Sequence, residues 1–159
     1  MQFWSQVDYI GVDAYYLASE GITGKPTNLS ETKEDAMNMW VSIIENWKEL
    51  SETYGKPILL TEVGYCSSIC KPWYGILTDQ DLMWQAMQYD AITEAMKGKD
   101  FIEGFFFWNW ATDPAYGGFY DQCMVINYKP AMQVIRKAFN SRIDPLPRPD
   151  YPALCKCLV

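Results

Sequence analysis

Apolar and polar positions along this chain switch between two rhythms. VDYIGVDAYY, residues 7 to 16, is a β-branched and aromatic run that predicts a strand. Gly21, Gly24, Pro26 and Asn28 then supply loop chemistry. From Thr32 to Tyr54 the period lengthens. Ala36, Trp40, Ile43, Ile44, Trp47 and Leu50 recur at helical spacing, and Gly55 and Pro57 end the pattern. Ile58 to Val63 predicts a second strand, followed by a loop over residues 64 to 77. Thr78 is placed to cap a second helix, with Asp79 and Asp81 at its positive end, running to Lys97 and stopping at Gly98. FIEGFFFWNW, residues 101 to 110, predicts a third, largely buried strand. A loop with Asp113, Pro114, Gly117 and Gly118 leads to a third helix from Pro130 to Phe139.

Strand, helix, strand, helix, strand, helix is the order of parallel strands joined by crossovers, an α/β architecture of three βα units. The loops that follow the strands are the longer ones, and in such folds the working site lies at that end. Strict alternation groups Gly11, Asp13 and Tyr15 on one face of the first strand. It groups Ile58, Leu60 and Glu62 in the second, and Phe106, Trp108 and Trp110 in the third. If these faces converge, the strand ends offer a carboxylate, two indoles and a phenol. The organisation expected is one barrel-like part over residues 1–140 and a Pro-rich tail over residues 141–159.

Composition narrows the chemistry. The 159 residues carry 13 basic and 20 acidic side chains, a net charge of −7, which argues against nucleic acid or an anionic membrane as partner. No histidine is present, so Ser-His-Asp and Cys-His catalysis and His-based metal sites are excluded. Chemistry must rest on carboxylates, Tyr, Cys or Lys. Aromatic residues make up 16% of the chain, and the polar groups of Trp and Tyr favour partly wet surfaces. Sugar clefts are one such surface, since pyranose faces stack on aromatic rings; a Trp-rich core is the plainer explanation. The five cysteines, Cys66, Cys70, Cys123, Cys155 and Cys157, match no zinc spacing. Cys66 and Cys70 are close enough in sequence to bridge in an oxidising compartment. No signal peptide or membrane span is visible, and Asn28-Leu29-Ser30 fits a glycosylation triplet.

ILLTEVGYCSS, residues 58 to 68, aims Glu62 from an apolar strand into a loop. A retaining glycosidase needs such a carboxylate as nucleophile, a hydrogen-bond donor to hold it, an aromatic floor for the sugar, and a second carboxyl about 5–5.5 Å away. Taken together, VDYIGVDAYY, YGKPILLTEVGYCSS, GFFFWNW, the Gly-Gly loop and YKPAMQVI resemble the last third of a TIM-barrel glycoside hydrolase. Across residues 3 to 140 the chain resembles glycoside hydrolase family 113, a family of β-mannanases. TEVGY after a GKP-led strand is the most specific element of that likeness.

The resemblance implies a partial TIM (β/α)8 barrel, the three strands being barrel strands six, seven and eight. It implies Glu62 as nucleophile, and Tyr15 as the strand-six tyrosine that bonds it. Asp13 would orient the site, Trp108 would floor the subsite where the bond breaks, and Trp110 would lie nearby. Tyr65 and Trp73 would stand on the loop beside the cleft. The substrate implied is a β-1,4-mannan-type polysaccharide or oligosaccharide, cleaved with retention and with no metal or organic cofactor. The family's acid/base glutamate follows strand four, usually after Asn, and has no counterpart here. The missing strands are expected from upstream sequence, and the isolated chain is expected to be inactive. The competing expectation is a non-catalytic carbohydrate-binding or interaction module derived from such a barrel.

Overall fold

A computed structural model describes residues 2–16, 29–67 and 77–140. The proline-rich tail, the loop that carries Trp73, the Asn28 triplet's acceptor, and Cys70, Cys155 and Cys157 lie outside the described residues. A short 3-10 turn, Gln2–Gln6, leads into β1 (Ile10–Asp13). Then follow α1 (Leu29–Tyr54), β2 (Ile58–Val63), α2 (Asp79–Ala95), β3 (Ile102–Phe107) and α3 (Pro130–Asn140). The strands form one parallel sheet in the order β1-β2-β3. Helix α2 packs between α1 and α3. The α/β reading and the three parallel βα units are therefore observed.

The helix ends follow their local chemistry. Gly55 adopts φ +60, and the Lys56 amide donates to the Ser51 carbonyl, closing α1 with a Schellman-type turn. At the start of α2 the Thr78 side chain accepts from the Asp81 amide while the Asp81 carboxylate accepts from the Thr78 amide, a reciprocal cap. Along α1, Ala36, Trp40, Ile44 and Trp47 are buried at helical spacing. They meet Ile10, Ala14, Ile58, Leu60 and Val63 from the sheet in one core that α2 and α3 complete.

Two strands are shorter than their apolar runs. A strand exists only where a neighbour pairs with it. Residues 7 to 9 precede the first ladder bond, from the Ile10 amide to the Pro57 carbonyl. The β3 run ends at Phe107 because the last ladder bond, from the Trp108 amide to the Val63 carbonyl at 2.7 Å, meets the end of β2.

The strict alternation expected in β2 fails. Val12 pairs with Leu60 but Asp13 pairs with Glu62, so Thr61 is one residue too many against β1. The same excess appears against β3, where Leu60 pairs with Phe105 and Val63 with Phe107. Such a bulge re-aims the side chains around it. Ile58 and Leu60 are fully buried toward the helices, and Val63 returns to that side. Glu62, expected to share their face, instead stands with Thr61 on the opposite, open face. Gly11 and Asp13 of β1 with Tyr15 just beyond it, and Phe106 of β3 with Trp108 and Trp110 just beyond it, present themselves on that open face too.

Candidate active site

The open face at the C-terminal ends of the strands collects the candidate residues. The Tyr15 hydroxyl donates to Oε2 of Glu62 at 2.7 Å. One residue before Glu62, the Thr61 hydroxyl donates to Oδ1 of Asp13, two residues before Tyr15, at 2.7 Å. The bulge makes both contacts possible, because it turns two successive β2 side chains toward β1. Burial, reinforced by the hydrogen bond to Glu62 and by the charges of Glu62 and Asp13, pushes the Tyr15 phenol up to about 12. Tyr15 therefore stays protonated and remains a donor to the carboxylate at any neutral pH.

Trp108 and Trp110 stand just beyond β3, 49% and 57% exposed, as a platform for an apolar ring face requires. Phe106, deeper on the same face, is 63% exposed, so the row of aromatics continues down the sheet. The Trp108 backbone is held from several sides. Its amide donates to the Val63 carbonyl, its carbonyl accepts from the Tyr89 hydroxyl at 3.3 Å, and its peptide bond to Asn109 is cis. A Cβ on Gly64 would run into that carbonyl, so a side chain at this position of TEVGY would force the Trp108 peptide to shift.

Tyr65 does not stand beside the cleft. It is fully buried, with its ring edge-on to Tyr89 at a centroid distance of 4.9 Å. The bulge accounts for this as well: with Val63 restored to the helix side, Tyr65 follows it into the core. Burial pushes its phenol well above the ordinary range. Asp13 is exposed and held by Thr61, and Trp73 is outside the described residues.

Sequence reasoning overlooked a second polar centre behind the site. Lys129, of the YKPA stretch, has a fully buried ammonium. It donates to Ser67 Oγ at 2.7 Å, to Asp121 Oδ1 at 2.9 Å and to the Cys123 carbonyl at 3.0 Å. Ser67 in turn donates to the Asp121 carbonyl at 2.8 Å. Burial lowers the Lys129 pKa, with Asp121 opposing that shift. The loops after β2 and β3 are thus pinned to the start of α3 by one cation. The only sequence signal for it was a lysine directly preceding a helix-starting proline. Cys66, on the first of these loops, is disulfide-bonded, and Cys123, on the second, is free. Among the described residues, no group of three or more Cys, Asp or Glu could hold a metal ion.

The model of glycoside hydrolase family 113 matches residues 1–120 of the chain. In structure the chain is similar to a family 113 β-1,4-mannanase solved as a complex, with 20% identity and a TM-score of 0.65, over 89% of this chain and 42% of that one. It is also similar to the family 113 β-mannanase of Alicyclobacillus acidocaldarius in complex with ManMIm. There the identity is 25% and the TM-score 0.65, over 87% of this chain and 40% of that one. A β-glucuronidase of Faecalibacterium prausnitzii shares the fold at 13% identity and a TM-score of 0.53, over 87% of this chain and 22% of that one. The chain therefore spans well under half the length of these enzymes. No curated protein matches it in sequence.

Proposed function

This chain belongs to glycoside hydrolase family 113, and from that premise we propose that it forms the nucleophile half of a retaining glycosidase site for β-1,4-mannan-type polysaccharide. Residues 1–140 are the part of the barrel that contains strands six to eight, and residues 141–159 are an appended tail. The observation that carries the reading is the Tyr15–Glu62 hydrogen bond on the open face, beside two exposed indoles.

Each residue then has a task. Glu62 attacks the anomeric carbon and forms the covalent glycosyl intermediate. Tyr15 keeps the attacking carboxylate oriented through its 2.7 Å hydrogen bond. Trp108 floors the sugar ring, Trp110 extends that surface, and Asp13, fixed by Thr61, orients the site beside the nucleophile. Tyr65 has no direct part, since a buried ring reaches no sugar. The family's acid/base glutamate has no counterpart in these 159 residues, so the proton for the leaving oxygen comes from strands one to five.

The substrate class comes from the similarity to two β-mannanases, one of them bound to ManMIm. The test is calorimetric titration of the chain with β-1,4-mannooligosaccharides, then a turnover assay with the remaining strands supplied by fusion or in trans. Binding plus restored turnover is the expected result. Binding with no turnover in the completed barrel would favour the non-catalytic reading, and failure to bind in either form would reject both.

A further inference from the structure

We infer that Tyr89 is a positioning residue that sets where Trp108 stands relative to Glu62. Tyr89 lies on α2, away from the open face, and is fully buried. Its ring is wedged edge-on between Tyr65 at 4.9 Å and Phe107 at 5.0 Å. Among the described residues its hydroxyl has two partners, and both lie just past the strand ends that carry the site. It accepts from the Tyr65 amide at 3.4 Å and donates to the Trp108 carbonyl at 3.3 Å. One donor and one acceptor are what a phenol can satisfy in the core. The hydroxyl therefore ties the chain three residues after Glu62 to the residue proposed as the sugar floor.

The Trp108 peptide is clamped from three directions. Val63 holds its amide at 2.7 Å, Tyr89 holds its carbonyl, and the bare face of Gly64 allows that carbonyl to come close. Val63 and Gly64 directly follow Glu62 in the chain, so the clamp couples nucleophile and platform through β2. A helix that never touches sugar thus fixes the distance between the two groups that do. This inference rests on the sugar-site reading for its functional meaning, but its geometry is testable without any sugar.

The substitution Tyr89→Phe removes one oxygen and keeps the ring packing. Amide hydrogen exchange and resonance assignment on the full chain are the readouts. Loss of the hydroxyl is expected to speed exchange of the Tyr65 amide by roughly three- to tenfold, the equilibrium factor of one hydrogen bond. It is also expected to move the Trp108 amide and indole resonances. Ile92→Val, a buried change one turn along α2, lowers stability without touching the clamp and should leave both signals in place. Gly64→Ala pushes on the Trp108 carbonyl from the other side and should move the same Trp108 resonances. Unchanged Tyr65 exchange and unmoved Trp108 resonances in Tyr89→Phe would overturn the inference, as would equal shifts in Ile92→Val. Affinity for mannooligosaccharide, measured on wild type and Tyr89→Phe together, separates the two readings. A wild-type chain that binds and a variant that binds three- to tenfold more weakly support both. A wild type without affinity counts against the sugar site alone, while exchange decides the clamp.

Discussion

Glu62 accepts a 2.7 Å hydrogen bond from Tyr15, and the contact can be read from the phenol's side. The Tyr15 pKa is pushed up to about 12 by burial first, then by the hydrogen bond to Glu62 and by negative charge at Glu62 and Asp13. Glu62→Gln removes the charge, weakens the hydrogen bond to a neutral one, and leaves burial and Asp13. Titration of the phenol by NMR should show the Tyr15 pKa falling back toward 10.0 in that variant. At the next residues of the same stretch, Gly64→Ala should cost about 1–3 kcal/mol in urea unfolding, the usual range for overpacking. The identity of these residues was legible in the sequence, because a carboxylate at a strand end and a Trp pair after an aromatic strand are chemical signals. Tyr65, set beside the cleft by the family resemblance, lies in the core instead, and alternation cannot reveal the inserted residue that turns it there. Nothing in ILLTEVG marks Thr61 as the extra one, and the bulge emerges only from the pairing with β1 and β3 on either side.

The elements were the most readable level. Helix caps are local contracts between neighbours in sequence, so Thr78, Asp81 and Gly55 announced the ends of α1 and α2. The Lys129 centre could not be read in the same way. Its partners are 62, 8 and 6 residues away, and a lysine in a loop is ordinarily solvated. In the folded chain its side chain is fully buried and that of Asp121 is 16% exposed. Breaking a buried pair from one side strands the other charge, at a cost of roughly 3–5 kcal/mol. Lys129→Ala should therefore lower unfolding free energy by that order. Lys129→Met combined with Asp121→Asn, which leaves no stranded charge, should recover much of the loss in the same denaturation series.

The whole molecule should respond to alkali with a definite sign. Tyr15, Tyr65 and Tyr89 all have folded pKa values raised above the ordinary 10.0, with burial the first cause in each. Their protonated forms contribute stability that is present below pH 10.0 and is lost as the unfolded state gives up its protons above it. Lys129 acts oppositely. Its folded pKa is lowered from 10.5, so stability rises with pH in the window just below that value. Three groups oppose one, so melting temperature should fall progressively above pH 10.0. A thermal series across that range checks the sign, and a flat profile would show that Tyr65 and Tyr89 are not buried as described.

At the same scale, the fold was legible as a βα rhythm, and the likeness to larger barrels extends it. The chain covers 42% and 40% of the two β-mannanases it resembles, and three parallel strands cannot close a barrel of eight. We expect no turnover of β-mannan by the 159-residue chain alone, measured as reducing ends released. The most direct test of the central claim is covalent trapping. The barrel completed with its remaining strands would be treated with a fluorinated mannoside bearing an activated leaving group, digested, and mapped by mass spectrometry. The account predicts the sugar on the peptide that contains Glu62, and no label after Glu62→Ala. Label on any other residue, or turnover that survives loss of Glu62, would contradict it.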